Sequence, residues 1–305
     1  MLRATDVTFG YGDRIVLHDV SVDVPAGGFI GIIGPNGSGK TTLLRLLAGT
    51  RRPQRGSVVL DGIPLAAMPR AEIARRMAVV PQETHLAFDY TVLEVVLMGR
   101  YPHLGAFAIE GPRDIELARE ALTSTGTLSL QDRMFNTLSG GEKQRVVIAA
   151  ALAQLAPSVS SVSSASSAPS VSSVSSASSV SSASSAPSTC SAPPASSAHS
   201  ALLLDEPTAA LDLKYQLETA ALVRDLHARH GLTVVMSTHD LNLAASLCNA
   251  LVLLKNGRVV QRGPVDDVLT PDSVRELYEV DAEVMRHPAT GRLTVTPLGR
   301  AGGHG

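Results

Sequence analysis

Gly34-Pro35-Asn36-Gly37-Ser38-Gly39-Lys40-Thr41 fits the pattern G-x-x-x-x-G-K-[ST] in full. The apolar run Phe29-Ile30-Gly31-Ile32-Ile33 precedes it and reads as a buried strand. Lys40–Ala48 follows with helical character, and Gly49 is placed to close that helix. A strand, a glycine-rich turn and a helix N-terminus in this order make a phosphate-binding loop. The glycines let backbone N–H groups converge on anionic oxygens, and the helix end adds its positive dipole. Lys40 can then place a charge on the β- and γ-phosphates, and the Thr41 hydroxyl can ligate Mg²⁺.

Working outward, the next informative stretch is Leu202-Leu203-Leu204-Asp205-Glu206. An apolar strand that ends in two acids delivers them to the sheet edge where ligands bind. Asp205 there is a candidate to hold Mg²⁺, directly or through water, and Glu206 to polarise an attacking water. Other buried strands are expected at Met77–Val80 and Thr233–Ser237, with a helix at Leu213–His230 between the acids and the latter strand. Two alternating stretches near Arg3–Phe9 and Ile15–Val24 open the chain. Asn256-Gly257, between Leu251–Leu254 and Arg258–Gln261, is a hairpin signal. Thr91–Leu130 reads mostly as helix with a Pro/Gly-rich break at Tyr101–Pro112, and a further helix is expected from Ser139 to about Gln154. Alternating strands and helices imply an α/β fold: a mainly parallel sheet covered by helices, with antiparallel strands at its margin.

Composition excludes several classes. A net charge of −2, five Phe, five Tyr and no Trp leave neither a basic field nor a stacking surface for nucleic acid. Cys190 and Cys248 make no metal or disulfide spacing. The N-terminal residues lack the apolar core of a signal peptide. Val146–Ala153 and Leu247–Leu254 are too short to span a bilayer. Between Pro157 and Ser200 the chain is almost wholly Ser, Ala, Val and Pro, and no Asp, Glu, Lys or Arg occurs between Arg145 and Asp205. That composition cannot build a core, so a disordered linker is expected there.

Leu138-Ser139-Gly140-Gly141-Glu142 narrows the reading further. With it the chain resembles the ATP-binding-cassette family, a branch of the P-loop NTPases whose hallmark is an L-S-G-G-Q-type motif at the start of a helix. The resemblance implies ATP as substrate, Mg²⁺ as cofactor and ATP hydrolysis as the activity. It marks Tyr11 as the aromatic that stacks on adenine, and Gly34 to Thr41 with Thr42 as the phosphate loop. Gln82 would be the Q-loop residue contacting the metal and the attacking water, and Asp205-Glu206-Pro207-Thr208 the acidic strand end. Asp212 would belong to the D-loop, and His239, after the strand Val234–Thr238, would sense the γ-phosphate. Ser139, Gly140 and Gly141 would complete the site of a second copy, so the family pattern implies a head-to-tail homodimer with two composite sites. Ser139 and Glu142 also fit an ordinary capping box, a reading compatible with that role. Glu142 departs from the commoner Gln.

The implied organisation is an ATP-binding core with an antiparallel β subdomain (1–84 and 201–262) and a helical subdomain bearing the signature (85–156). The Ser/Ala insertion (157–200) and a C-terminal helical segment and tail (263–305) complete it. Thr91–His103, with Val280–Val284 and His287–Arg292, is similar to the motor subunits of bacterial importers of ferric siderophores, haem or cobalamin. That implies permease subunits as partners, a periplasmic binding protein as an indirect one, and a peripheral place on the cytoplasmic side of the membrane. The competing reading is a non-transport cassette ATPase acting on ribosomes or DNA. Such proteins carry two cassettes or long heptad insertions, and neither is visible here.

Overall fold

The computed structural model describes residues 1–157 and 199–300, apart from 85, 106 and 210. The expected linker falls almost wholly on residues 158–198, outside the described residues, as does Cys190.

Two sheets meet around the phosphate loop. In chain order the first strands are β1 (Leu2–Tyr11), β2 (Arg14–Val24), β3 (Phe29–Ile33), β4 (Arg55–Leu60), β5 (Ile63–Pro64) and β6 (Met77–Val80). The later ones are β7 (Ala201–Asp205), β8 (Thr233–Thr238), β9 (Ala250–Lys255), β10 (Arg258–Pro264), β11 (Val280–Arg286) and β12 (Leu293–Arg300). The main sheet has the order β10-β9-β3-β8-β7-β6 and is parallel except for β10. The second, β2-β1-β4-β5, is antiparallel.

The helices are α1 (Lys40–Leu47), α2 (Arg70–Arg76), α3 (Val92–Met98), α4 (Pro112–Ser124), α5 (Gly140–Leu155), α6 (Leu213–His230), α7 (Leu241–Leu247), α8 (Val265–Val268) and α9 (Pro271–Tyr278). Side-chain alternation divides the main sheet between two cores. Phe29, Ile33, Leu202, Leu204, Val234, Met236, Leu251 and Leu253 face the core shared with α3–α7. Ile30, Ile32, Leu203, Val235, Val252 and Leu254 face the core shared with α1 and the antiparallel sheet. The central strands therefore read as continuous apolar runs, because both faces are covered.

The 91–130 stretch is broken into α3, a short turn at Tyr101–His103, α4 and another short turn at Leu128–Leu130. Thr91 starts α3 with a capping box to Glu94. Asn256 (φ 48°) and Gly257 (φ 73°) form the β9–β10 turn, whose Gly257 carbonyl accepts from His18 N–H at 2.8 Å and ties it to β2. Beyond residue 263 the described residues hold the helices α8 and α9, and the tail that follows them folds as the hairpin β11–β12. Its strands alternate weakly because most of their side chains face solvent.

Candidate functional site

The carboxyl ends of β3, β7 and β8 lie side by side, and each strand runs directly into a residue singled out above: Gly34, Glu206 and His239. After β3 the chain turns through the glycine loop into α1. Gly39 caps that helix with φ 105°, which a side chain would resist, and no side chain caps the N-terminus in its place. A Cβ on Gly34 would lie 2.1 Å from the Leu254 carbonyl oxygen, so the loop is pressed against the β9 strand end. The first turn of α1 contains no acid, which leaves its positive end available to an anion.

Lys40 is buried, and its ammonium donates to the carbonyls of Gly34 (3.0 Å) and Pro35 (3.3 Å). It also meets the Glu206 carboxylate at 3.3 Å. Thr41 Oγ1 donates to Asp205 Oδ1 at 3.0 Å, joining the start of α1 to the end of β7. The Ser237 hydroxyl donates to the same Asp205 oxygen at 2.6 Å and accepts from the Glu206 N–H at 3.0 Å. Ser237 stands opposite Asp205 in the parallel register, so one strand end orients both acids. Glu206 has φ 45°, a left-handed conformation held by its N–H bond to Ser237 O at 3.1 Å. A strained non-glycine backbone of this kind concentrates at functional sites. The other Glu206 oxygen meets His239 Nδ1 at 3.1 Å.

These groups border a cleft of about 630 Å³. Of the expected residues, Tyr11, Asn36, Gly37, Gly39, Lys40, Thr41, Thr42, Gln82, Glu206 and His239 line it. Gly34, Pro35 and Ser38 form the loop behind Lys40, and Asp205 stands behind Thr41. The Ser38 hydroxyl is buried and has no hydrogen-bond partner among the described residues, a group that an incoming oxyanion can satisfy. Tyr11 closes one end, edge-on to Phe9 and with the Arg51 guanidinium 6.0 Å from its ring centre. Burial alone would raise the Tyr11 hydroxyl, but hydrogen bonds with Thr42 and Arg45 and the charges of Arg45 and Arg51 hold it below its ordinary value.

Sequence reading missed Arg14, Val16 and Ala209 in the cleft wall, and Ser237 beneath it. A serine closing an apolar strand is the only trace Ser237 leaves in the sequence.

Four expected residues lie elsewhere: Ser139, Gly140, Gly141 and Asp212 do not line this cleft. Ser139 caps α5 in a capping box with Glu142: its N–H and hydroxyl donate to one carboxylate oxygen at 2.8 and 2.7 Å. Those bonds, with the nearby charges of Arg133 and Arg145, keep the Glu142 carboxyl below its usual range. A Cβ on Gly141 would come within 2.5 Å of the Tyr215 ring, so only glycine lets α5 approach α6 so closely. Gly140 is exposed and lies beside Leu211, next to Asp212 at the start of α6.

Residues 17–159 match the family model described as ABC transporter. The hemin import ATP-binding protein of Gloeobacter violaceus is 42% identical over 301 residues, covering 99% of this chain and 95% of that protein. The iron(3+)-hydroxamate import ATP-binding protein of Bacillus subtilis is 33% identical over 291 residues, covering 95% and 92%. A dimeric ATP-binding cassette solved in a post-hydrolysis state with ADP and phosphate superposes with a TM-score of 0.64 at 27% identity, covering 87% of this chain and 99% of that one. With the phosphate loop, the paired acids and the signature helix all in place, the chain belongs to the ABC transporter family and is one of its ATP-binding, ATP-hydrolysing subunits.

Proposed function

We propose that this ATPase energises the uptake of a metal chelate, haem or a ferric siderophore, with cobalamin the third candidate. The observation that carries the chemistry is the convergence of Lys40, Thr41–Asp205 and Glu206–His239 on one cleft. The cargo class rests on the hemin and iron-hydroxamate relatives, which align over nearly the whole chain.

In this reading Tyr11 stacks on adenine, and the loop from Gly34 to Thr42 wraps the phosphates. Lys40 exchanges its Glu206 partner for phosphate oxygens, a stronger charge-assisted contact. That exchange releases the Glu206 carboxylate to accept a proton from the attacking water. His239, bonded to Glu206 through Nδ1, orients that carboxylate and reports the γ-phosphate. Gln82 reaches the attacking water from the end of β6. The Thr41 hydroxyl, the Asp205 carboxylate and the Gln82 amide oxygen are hard oxygen donors that suit Mg²⁺. Bound there, the cation neutralises charge that develops on the phosphates.

Among the described residues no helix is long and apolar enough to cross a membrane. Permease subunits supply the membrane path, with the ATPase homodimer peripheral on their cytoplasmic side and a periplasmic binding protein delivering cargo. The D-loop Asp212 and the signature residues Ser139, Gly140 and Gly141 act across the homodimer. The test is genetic and biochemical together. Deleting the gene should impair growth on haem, a ferric siderophore or cobalamin. A Lys40→Ala copy should fail to restore growth and should lose ATPase activity when purified. Unimpaired use of all three, with collapse of another solute's uptake, would refute the cargo.

A further inference from the structure

His239 is fastened from a part of the chain outside the nucleotide core. Tyr278, the last residue of α9, donates its hydroxyl to the His239 main-chain carbonyl at 3.3 Å. Three residues beyond the histidine, Asn242 on α7 exchanges two hydrogen bonds with Val295 on β12. Its Nδ2 donates to the Val295 carbonyl at 3.2 Å, and its Oδ1 accepts from the Val295 N–H at 2.7 Å. A side-chain amide here pairs with a strand as a neighbouring strand residue would. Between the two contacts, Asp240 caps α7 by accepting from the Leu243 N–H at 2.9 Å.

The anchoring side is itself fixed. Val295 and Ala282 are buried in the core that α7 shares. Lys255 donates to the Glu276 carbonyl at 2.6 Å and meets Glu279 at 3.0 Å, closing the end of α9. Tyr278 is half-buried; burial, then the charges of Asp240 and Glu206, push its hydroxyl far above the ordinary value. The group therefore remains a proton donor across the pH range in which the protein functions.

We infer that the C-terminal segment positions the switch histidine: Tyr278 and Asn242 hold the loop between β8 and α7 so that the His239 ring stays in register with Glu206. The inference rests on the hydrolytic roles given to His239 and Glu206 above. Neither Tyr278 nor Asn242 lines the nucleotide cleft, so each acts through the main chain of the loop. A small displacement there alters the 3.1 Å contact between His239 and Glu206, and reaction rates respond steeply to such displacements.

The test is single-turnover and steady-state ATP hydrolysis by the full chain carrying Tyr278→Phe, Asn242→Ala, His239→Ala, or Tyr278→Phe with His239→Ala. Tyr278→Phe keeps the packed ring and removes the one hydrogen bond. It should lower kcat about 3- to 10-fold, the range of one lost hydrogen bond, with KM for ATP nearly unchanged. In the His239→Ala background the same change should cost nothing more, because both act through one group. Wild-type kcat in Tyr278→Phe, or an undiminished cost without His239, overturns the inference. Should Tyr278→Phe fold poorly, Asn242→Ala decides: a lowered kcat at unchanged KM supports the fastening, and full activity overturns it. Full activity in His239→Ala would refute the histidine's own role, and the inference with it. An active Tyr278→Phe beside an inactive His239→Ala refutes the fastening alone.

Discussion

Glu206 stands between the buried Lys40 ammonium at 3.3 Å and the His239 imidazole at 3.1 Å. Its side chain is only 13% exposed, so its charge is weakly screened and its partners matter. Glutamine at this position keeps the shape and the bond to His239 while losing the proton acceptor. Glu206→Gln should therefore bind ATP, read by fluorescent-nucleotide titration, yet release phosphate at least about 10²-fold more slowly, the scale of a lost general base. Phosphate release within a few-fold of the wild type would remove Glu206 from the reaction. Lys40, Thr41, Asp205 and Glu206 were legible in the sequence because motif and strand pattern together put them at strand and helix ends. Ser237 was not. Its role comes from the parallel register that sets it opposite Asp205, and a single chain read alone contains no register between strands 30 residues apart.

At the scale of elements, the stretch Gly99-Arg100-Tyr101-Pro102-His103 has a structural explanation that its resemblance to importer subunits did not reveal. Arg100 is fully buried. Its guanidinium donates to the carbonyls of Ala153 and Ala156 at 2.6 and 2.7 Å, closing the end of α5, and to Asp114 at 2.9 Å. Asp114 in turn accepts from the Gly111 N–H at the start of α4. Burial alone would raise the Asp114 carboxyl, but Arg100 and that N–H outweigh it and hold it below its usual value. A depressed carboxylate stabilises the fold above its unfolded pKa, and this contribution is lost as pH falls through the folded pKa. Arg100→Met keeps much of the volume but strands two carbonyls and a carboxylate. It should cost about 3 kcal/mol, lowering the melting temperature by roughly 10 °C, as calorimetry would show. A shift under about 2 °C would mean the network is dispensable. The long helices were readable from apolar spacing and caps. The short α7 and the β11–β12 hairpin were not, since seven residues of helix and two half-exposed strands give weak periodicity.

For the whole molecule, the separation of the signature from the phosphate loop is the decisive feature. Ser139, Gly140 and Gly141 begin a 16-residue helix, α5, yet border none of the cleft that holds Lys40 and Glu206. The proposed homodimer would resolve this with a second copy, whose signature helix would close on the phosphates. Glu206→Gln, which should hold ATP without consuming it, is expected to elute as a dimer in size-exclusion chromatography with ATP and as a monomer without it. Gly140→Glu supplies the sharper test. Gly140 is exposed, and among the described residues a Cβ there meets only Leu211 Cδ2, at an ordinary 3.4 Å. A negative charge in the first turn of a helix is favourable to the helix itself, so the monomer should keep its melting temperature. ATP binding to its own phosphate loop should persist as well, because the substitution lies outside that cleft. The new carboxylate would instead oppose the partner's γ-phosphate. Added to Glu206→Gln, it should abolish the ATP-dependent dimer, and in the otherwise native chain it should cut hydrolysis by at least about 10²-fold, since like charges juxtaposed across an interface cost several kcal/mol. A Gly140→Glu protein that still dimerises and hydrolyses ATP would show that α5 does not complete a second site.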